Sequence, residues 1–288
     1  MKTFKIIIAF ILFSLYGCGQ ENHNVTFFKD TEAYDLAKAI EKNDTLKIEK
    51  IVKANAKLLE VYEETSGANA LYLALTLENF EAFKKLLDLG ANPNSINPIS
   101  KYSILIEAIK FYSKPESYTI EAKYVALLLA KGANPNYAVE KDFVDKKGHS
   151  HMAKSSLTEA AKLNLELVKL LIKAGANPYK EFAHDGKTPF GSALRGFKDK
   201  FIISNYFIDS LKVDVFAPLY KGTEDSLYIQ DYVINKYTKA KLNGDKKTLT
   251  NLISENKDID IANQEGWLFI KKLESLGVNF KDYKYKRE

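Results

Sequence analysis

The 288-residue chain holds four histidines and one cysteine, so imidazole and thiol chemistry is quickly located. His149 and His151 stand two residues apart with Asp145 close by. Two imidazoles and a carboxylate could ligate a metal or pass a proton. A zinc site wants three or four ligands, and no cysteine lies near them, so neither a metal nor a cofactor is expected. His23 and His184 stand apart from them in the sequence. Acidic residues are many, but nothing in their spacing brings two together in a cleft for acid–base work. No glycine-rich phosphate loop follows a strand, and no nucleophile elbow is present. The chain therefore does not read as an enzyme. The remaining chemistry is that of a binding surface. Its candidate contacts are Tyr112 and Tyr118 in the stretch Phe111–Tyr118, and Phe143, His149 and His151 in the stretch Val139–Met152.

The cysteine, Cys18, has a context of its own. Lys2 and Lys5 open a basic start, and Ile6–Leu15 is an apolar run of ten residues. Such a run is too short to cross a bilayer and has the shape of an export signal. Leu15-Tyr16-Gly17-Cys18 then resembles the lipobox of bacterial lipoproteins, an aliphatic residue, a variable one, a small one and cysteine. By that resemblance residues 1–17 are a cleaved signal peptide and Cys18 is lipidated. Residues 18–26 form a polar tether, and the protein is anchored in the bacterial cell envelope. Several acyl chains anchor stably where one binds marginally. Gly19, in place of aspartate, points by the same resemblance to the outer membrane. The mature chain has no second cysteine, so packing alone must hold it, even in an oxidising compartment.

Composition supports a folded protein: 46% of residues are hydrophobic and 27% charged. The net charge is +5, but among 42 basic residues only Arg195 and Arg287 are arginine. Arginine supplies the bidentate forks that phosphates and bases are read with, so no nucleic-acid partner is expected. The 17 Tyr and 17 Phe are read chiefly as core.

The elements that position these residues are announced by a phrase written three times. Leu86-Leu87-Asp88-Leu89, Leu128-Leu129-Ala130-Lys131 and Leu171-Ile172-Lys173-Ala174 are each followed by Gly-Ala-Asn-Pro. The glycines, Gly90, Gly132 and Gly175, lie 42 and 43 residues apart. A fixed period of this size marks a stacked repeat. The leucines fill one helix face, glycine takes the left-handed turn that ends the helix, and proline prevents its continuation.

In Asp185-Gly186-Lys187-Thr188-Pro189-Phe190-Gly191-Ser192-Ala193-Leu194 the unit is spelled most fully, with a turn, a capping threonine and proline at the first helical position. These residues resemble the ankyrin repeat, with Gly191 standing where that family has histidine. Weaker copies run Asn69–Leu75, Ser103–Ala108 and Ser156–Ala161. A return helix is expected over Phe201–Ile208, with Val213-Asp214-Val215 in place of Gly-Ala-Asn-Pro. Degenerate copies are read at Ala33–Val52 and Tyr232–Ile253, with an inter-unit turn at Asp258–Trp267 and a last helix end at Leu276–Asn279. Tyr283 and Tyr285 are read as a solvated tail.

The fold implied is all-α, an ankyrin-repeat solenoid over residues 27–288 with about six units, a partial seventh and atypical caps. Phe111–Tyr118 is an insertion between paired helices, and Val139–Met152 an elongated finger between units. By resemblance such a stack binds other proteins, so a membrane-anchored interaction module, as inhibitor, immunity protein or scaffold, is the expected function. An envelope enzyme using histidines near the finger and a structural spacer are the alternatives.

Overall fold

The computed structural model describes residues 25–111, 122–180, 188–196, 200–219, 228–232, 264–280 and 283. The chain divides into two compact bodies, Met1–Leu89 and Gly90–Glu288. Cys18, Tyr112, Tyr118, His23, His184 and the stretch 249–253 lie outside the described residues.

In the first body, helix α1 (Tyr34–Glu41) pairs with α2 (Thr45–Ala54), and α3 (Ala70–Thr76) with α4 (Phe80–Asp88). Helix α1 buries Leu36, Ala37, Ala39 and Ile40, and α2 buries Ile48 and Val52, four apart on one face. Asp44 caps α2 by accepting from the Lys47 amide at 3.0 Å, and Asn69 caps α3 through the Tyr72 amide at 3.0 Å. Helix α3 packs on α1 and α4 on α2, so one pair stacks on the next. A side-chain rung joins the two turns. Asn43 Oδ1 accepts from the Ala82 amide (2.9 Å), and Asn79 Nδ2 donates to the Ile40 carbonyl (2.6 Å).

The loop before α3 folds around Glu63, which is 1% exposed. Its carboxylate accepts from the amides of Thr65 (2.6 Å), Ser66 (2.7 Å) and Ala68 (3.1 Å) and from the Ser66 hydroxyl. Burial pushes this carboxyl up, but the bonds from Ser66, Ala68 and Thr65 outweigh it and hold the group below its ordinary value.

In the second body the pairs are α5 (Ile104–Phe111) with α6 (Lys123–Ala130), α7 (Ser156–Ala161) with α8 (Leu165–Lys173), and α9 (Pro189–Leu194) with α10 (Lys200–Asp209). First helices stack on first helices, α5 on α7 on α9, and second on second, α6 on α8 on α10. Thr188 caps α9 through the Gly191 amide (3.0 Å), and Pro189 begins the helix, as the spelling of that unit predicts. Gly191 also lies close against the Leu219 carbonyl, where an added Cβ would stand 3.2 Å away.

Gly132 and Gly175 end their helices with φ near +89°, and the amide after each returns to the fifth residue before it, Ala133 to Leu128 and Ala176 to Leu171, both at 2.9 Å. The return helix expected over Phe201–Ile208 is α10 (Lys200–Asp209), and the chain after it also passes through a left-handed residue, though not glycine. Lys212 takes the left-handed position (φ +55°), and the Val213 amide bonds the Phe207 carbonyl at 3.1 Å.

Rungs of asparagine join the units here too. Asn94 donates to the Gly132 carbonyl (3.0 Å) and accepts from the Asn134 amide (2.6 Å). One unit on, Asn136 donates to Gly175 (2.8 Å) and accepts from Asn177 (2.8 Å). At the third step Tyr179 replaces asparagine, and its hydroxyl reaches the Leu211 carbonyl at 2.5 Å.

Two sequence readings need correction near the C-terminus. Residues 264–267, expected in an inter-unit turn, open helix α11 (Gln264–Ser275), whose Phe269, Ile270 and Leu273 are buried. That helix packs on α10, where Lys272 meets Asp209 (2.6 Å) and Asn205 (3.0 Å), and it ends at Gly277 (φ +93°). Apolar residues spaced three and four apart prevail over the turn-like Gln-Glu-Gly. Tyr283 is not a solvated tail residue. It is half-buried, its hydroxyl donates to Asp231 Oδ2 at 2.7 Å, and burial first, then that carboxylate, push the phenol up. Among the described residues no helix is long and apolar enough to cross a membrane.

Candidate functional site

Val139–Met152 does stand out between units, and it departs from an all-helical outline by forming a β-ribbon. Strand β1 (Ala138–Val139) pairs antiparallel with β4 (Lys154–Ser155), and β2 (Phe143–Val144) with β3 (Ser150–His151). From Val139 to Phe143 is four steps, but from His151 to Lys154 only three, so one extra residue bulges out of the first strand. Asp142 seals the irregularity by accepting from the Ala153 amide at 2.5 Å. The tip turns through Asp145, Lys146, Lys147 and Gly148. Gly148 takes φ +86°, and the Asp145 amide bonds the His149 carbonyl at 2.9 Å.

Asp145 organises the tip. One carboxylate oxygen accepts from the amides of Lys147 (2.8 Å) and His149 (2.9 Å), and the other lies 3.1 Å from His149 Nδ1 and 3.0 Å from His151 Nε2. The bond from His151, foremost, and those from His149 and Lys147 hold this carboxyl well below the usual range, against the opposing effect of burial. The three residues grouped by the sequence are therefore brought together, as a clasp. Both imidazoles spend a nitrogen on the same carboxylate. Among the described residues no group of three or more His, Cys, Asp and Glu is placed to hold a metal ion.

His151 and His149 differ in surroundings. The His151 side chain is 15% exposed, its ring stacked on Phe143 (centroids 4.9 Å, planes 21° apart) and edge-on to Tyr102 (6.0 Å, 74°). His149 is 59% exposed at the tip. Phe143 is half-buried, whereas Val144 (64%) and Met152 (53%) are exposed. The finger thus has an inner face of aromatic rings and apolar side chains left in water.

Tyr102 is the residue that sequence reasoning missed. It precedes α5 in the loop where Ile96 and Ser103 form an isolated antiparallel bridge, a shorter version of the finger. Tyr102, Ile106 and Val139 make a buried cluster with Tyr137 and Phe143 against it. The Tyr102 hydroxyl donates to the Met152 carbonyl at 2.9 Å, and the Tyr137 hydroxyl donates back to the Lys101 carbonyl at 2.7 Å. The two loops are laced together by reciprocal tyrosines. Burial, above all, pushes the Tyr102 phenol up to about 12. Fifty residues separate Tyr102 from Met152, and no local periodicity connects them.

Below the ring stand charges from three elements. Lys110 of α5 lies 4.6 Å from the Tyr102 centroid and Lys154 of β4 lies 5.2 Å from it. Glu107 binds Lys110 (2.9 Å), and Glu159 of α7 binds Lys162 (2.7 Å). Helix α7 is held in place by a capping box, with Ser155 Oγ accepting from the Thr158 amide (3.2 Å) and Thr158 Oγ1 accepting from the Ser155 amide (3.0 Å).

Paired antiparallel helices, stacked first on first and second on second, closed by left-handed residues and joined by hairpin loops, define an ankyrin-like all-α repeat protein. Solved structures similar to this chain include the human ASB11 ankyrin repeat domain, at 17% identity over 62% of this chain and 69% of that one, with a TM-score of 0.43. No family model matches the chain. No curated protein matches it either.

Proposed function

We propose that the chain is a protein–protein interaction module, anchored by lipid on Cys18 in the bacterial cell envelope, whose finger makes the decisive contacts. The observation that carries this reading is the finger itself. It is braced on its inner face by Tyr102 and pinned at its tip by Asp145, yet it leaves Val144 and Met152 exposed. A rigid projection with apolar side chains in water loses little conformational entropy on docking. His149 and the lysines of the tip would then form the polar rim. The two histidines, each bonded to Asp145, serve as a structural clasp in this reading and not as catalysts. An inhibitor, an immunity protein or a scaffold would each use such a surface.

The anchor rests on the sequence of residues 1–18, the basic start, the apolar run and the lipobox-like Leu15–Cys18. Crosslinking capture from envelope fractions, with a variant lacking Val139–Met152 as control, tests the module. One dominant partner lost with the finger supports it, and an empty capture by a folded protein counts against it. Cys18→Ser tests the anchor separately. The protein should move from the membrane to the soluble fraction, and one that stays membrane-bound is not held by that cysteine.

A further inference from the structure

Among the described residues, the lysines below Tyr102 are not equally matched by carboxylates. Lys110 is tied to Glu107 on its own helix at 2.9 Å and Lys162 to Glu159 on its own at 2.7 Å. Among the described residues the carboxylate that Lys154 reaches is Glu159, at 3.8 Å, beyond hydrogen-bonding distance, and its other oxygen is engaged by Lys162. The remaining carboxylate near the ring, Asp142, is turned to the Ala153 amide. Among the described residues, Lys154 therefore has no carboxylate within hydrogen-bonding distance. The three lysine side chains are 19% (Lys154), 32% (Lys110) and 34% (Lys162) exposed, so the group can be reached from solvent. The π-face of Tyr102 compensates Lys154 in part. Burial, and then the repulsion of Lys110 and Lys162, push the Lys154 ammonium down, with Glu159 acting against them.

We propose that Lys154, flanked by Lys110 and Lys162, receives a carboxylate from an acidic segment of the partner protein. This rests on the reading of the chain as an interaction module. An arriving carboxylate supplies the hydrogen-bonding anion that Lys154 lacks and relieves the repulsion among the three cations. Lysine, a compact point charge, suits a single carboxylate and does not need the flat fork of arginine. The cluster lies open at the foot of a projecting finger, so the rest of the binding surface must come from a large ligand.

The test uses the mature full chain and a fluorescein-labelled octaglutamate peptide, followed by anisotropy at two salt concentrations. Lys154→Met keeps the stem of the side chain and should weaken binding about tenfold or more, because it removes the deepest cation of the group. Glu159→Gln removes the internal competitor and should tighten binding severalfold, a gain that a folding defect cannot imitate. Lys42→Ala with Lys57→Ala, exposed lysines outside the finger, should leave affinity within about twofold. Equal affinity in the Lys154→Met variant and the parent overturns the proposal, as does unchanged affinity in Glu159→Gln. So does displacement of the peptide by inorganic phosphate at an equal concentration of anion, or binding to phosphatidylglycerol vesicles that Lys154→Met abolishes. A partner captured through the finger and held equally by Lys154→Met would sink this site and leave the module reading intact. Peptide binding at Lys154 with no partner captured would do the reverse.

Discussion

Removing only the hydroxyl of Tyr102 separates two contributions that the structure superimposes. In Tyr102→Phe the ring stays in its cluster with Ile106 and Val139, against His151 and facing two lysines, and only the bond to the Met152 carbonyl is lost. A hydrogen bond of this kind contributes about 0.5–1.5 kcal/mol net. Met152 is half exposed, so water can serve its carbonyl and the loss should fall at the low end. Tyr102→Ala removes a ring that is 4% exposed and should cost about 3–5 kcal/mol, the range for an aromatic truncated in a core. Denaturant melts of both variants give the two differences. The phenol offers an independent check. Its folded value, about 12, lies above the ordinary value of 10.0. The unfolded chain therefore releases the proton first, so this contribution to stability is full below pH 10 and falls as pH rises from 10 towards 12. An ultraviolet titration of the folded protein in which every tyrosine ionises near pH 10 would contradict the buried ring. Equal losses in the phenylalanine and alanine variants would show that the ring braces nothing.

Three other perturbations probe the frame. Glu63→Gln puts an amide where backbone N–H groups converge on a carboxylate, and should cost about 1–3 kcal/mol in a denaturant melt. Because the Glu63 carboxyl is held below its ordinary value of 4.5, the parent should lose stability as pH falls below that value, and the variant should show less of that loss. Gly132→Val forces a branched side chain into a left-handed position (φ +89°) and should destabilise by about 1–2 kcal/mol, although nothing lies within 4 Å of the added Cβ. Melts that overlay the parent would refute the strain. Lys212→Gly relieves the same strain where glycine is missing (φ +55°) and should raise the melting temperature, with a gain of about 0.5–1 kcal/mol.

What could be read from the chain and what could not divide along a physical line. Gly132 and Gly175 end helices as their spelling requires, because the left-handed turn is a local demand that glycine alone meets at no cost. Thr188 and Pro189 likewise act within a few residues of themselves. Lys212 takes a left-handed conformation with the wrong residue type, where the next amide bonds the Phe207 carbonyl, and no rule of spelling would find it. Gln264–Trp267 looks like a turn in composition and is helical because the apolar residues after it have a core to enter. At the candidate site the meeting of Asp145 with His149 and His151 was visible as proximity in sequence. Tyr102, Lys110 and Lys154 come from two different units, and only stacking brings them to one ring.

The asparagine rungs have a consequence that can be followed in real time. The amides of Asn134 and Asn177 lie at the surface, where exchange with deuterium would ordinarily be fast, yet each donates to an asparagine side chain of the preceding unit. Their protection lasts only while that neighbour is folded. Each is therefore a reporter of its neighbour's opening, and comparing its exchange with that of the helix it follows would show whether adjacent units open one at a time or together.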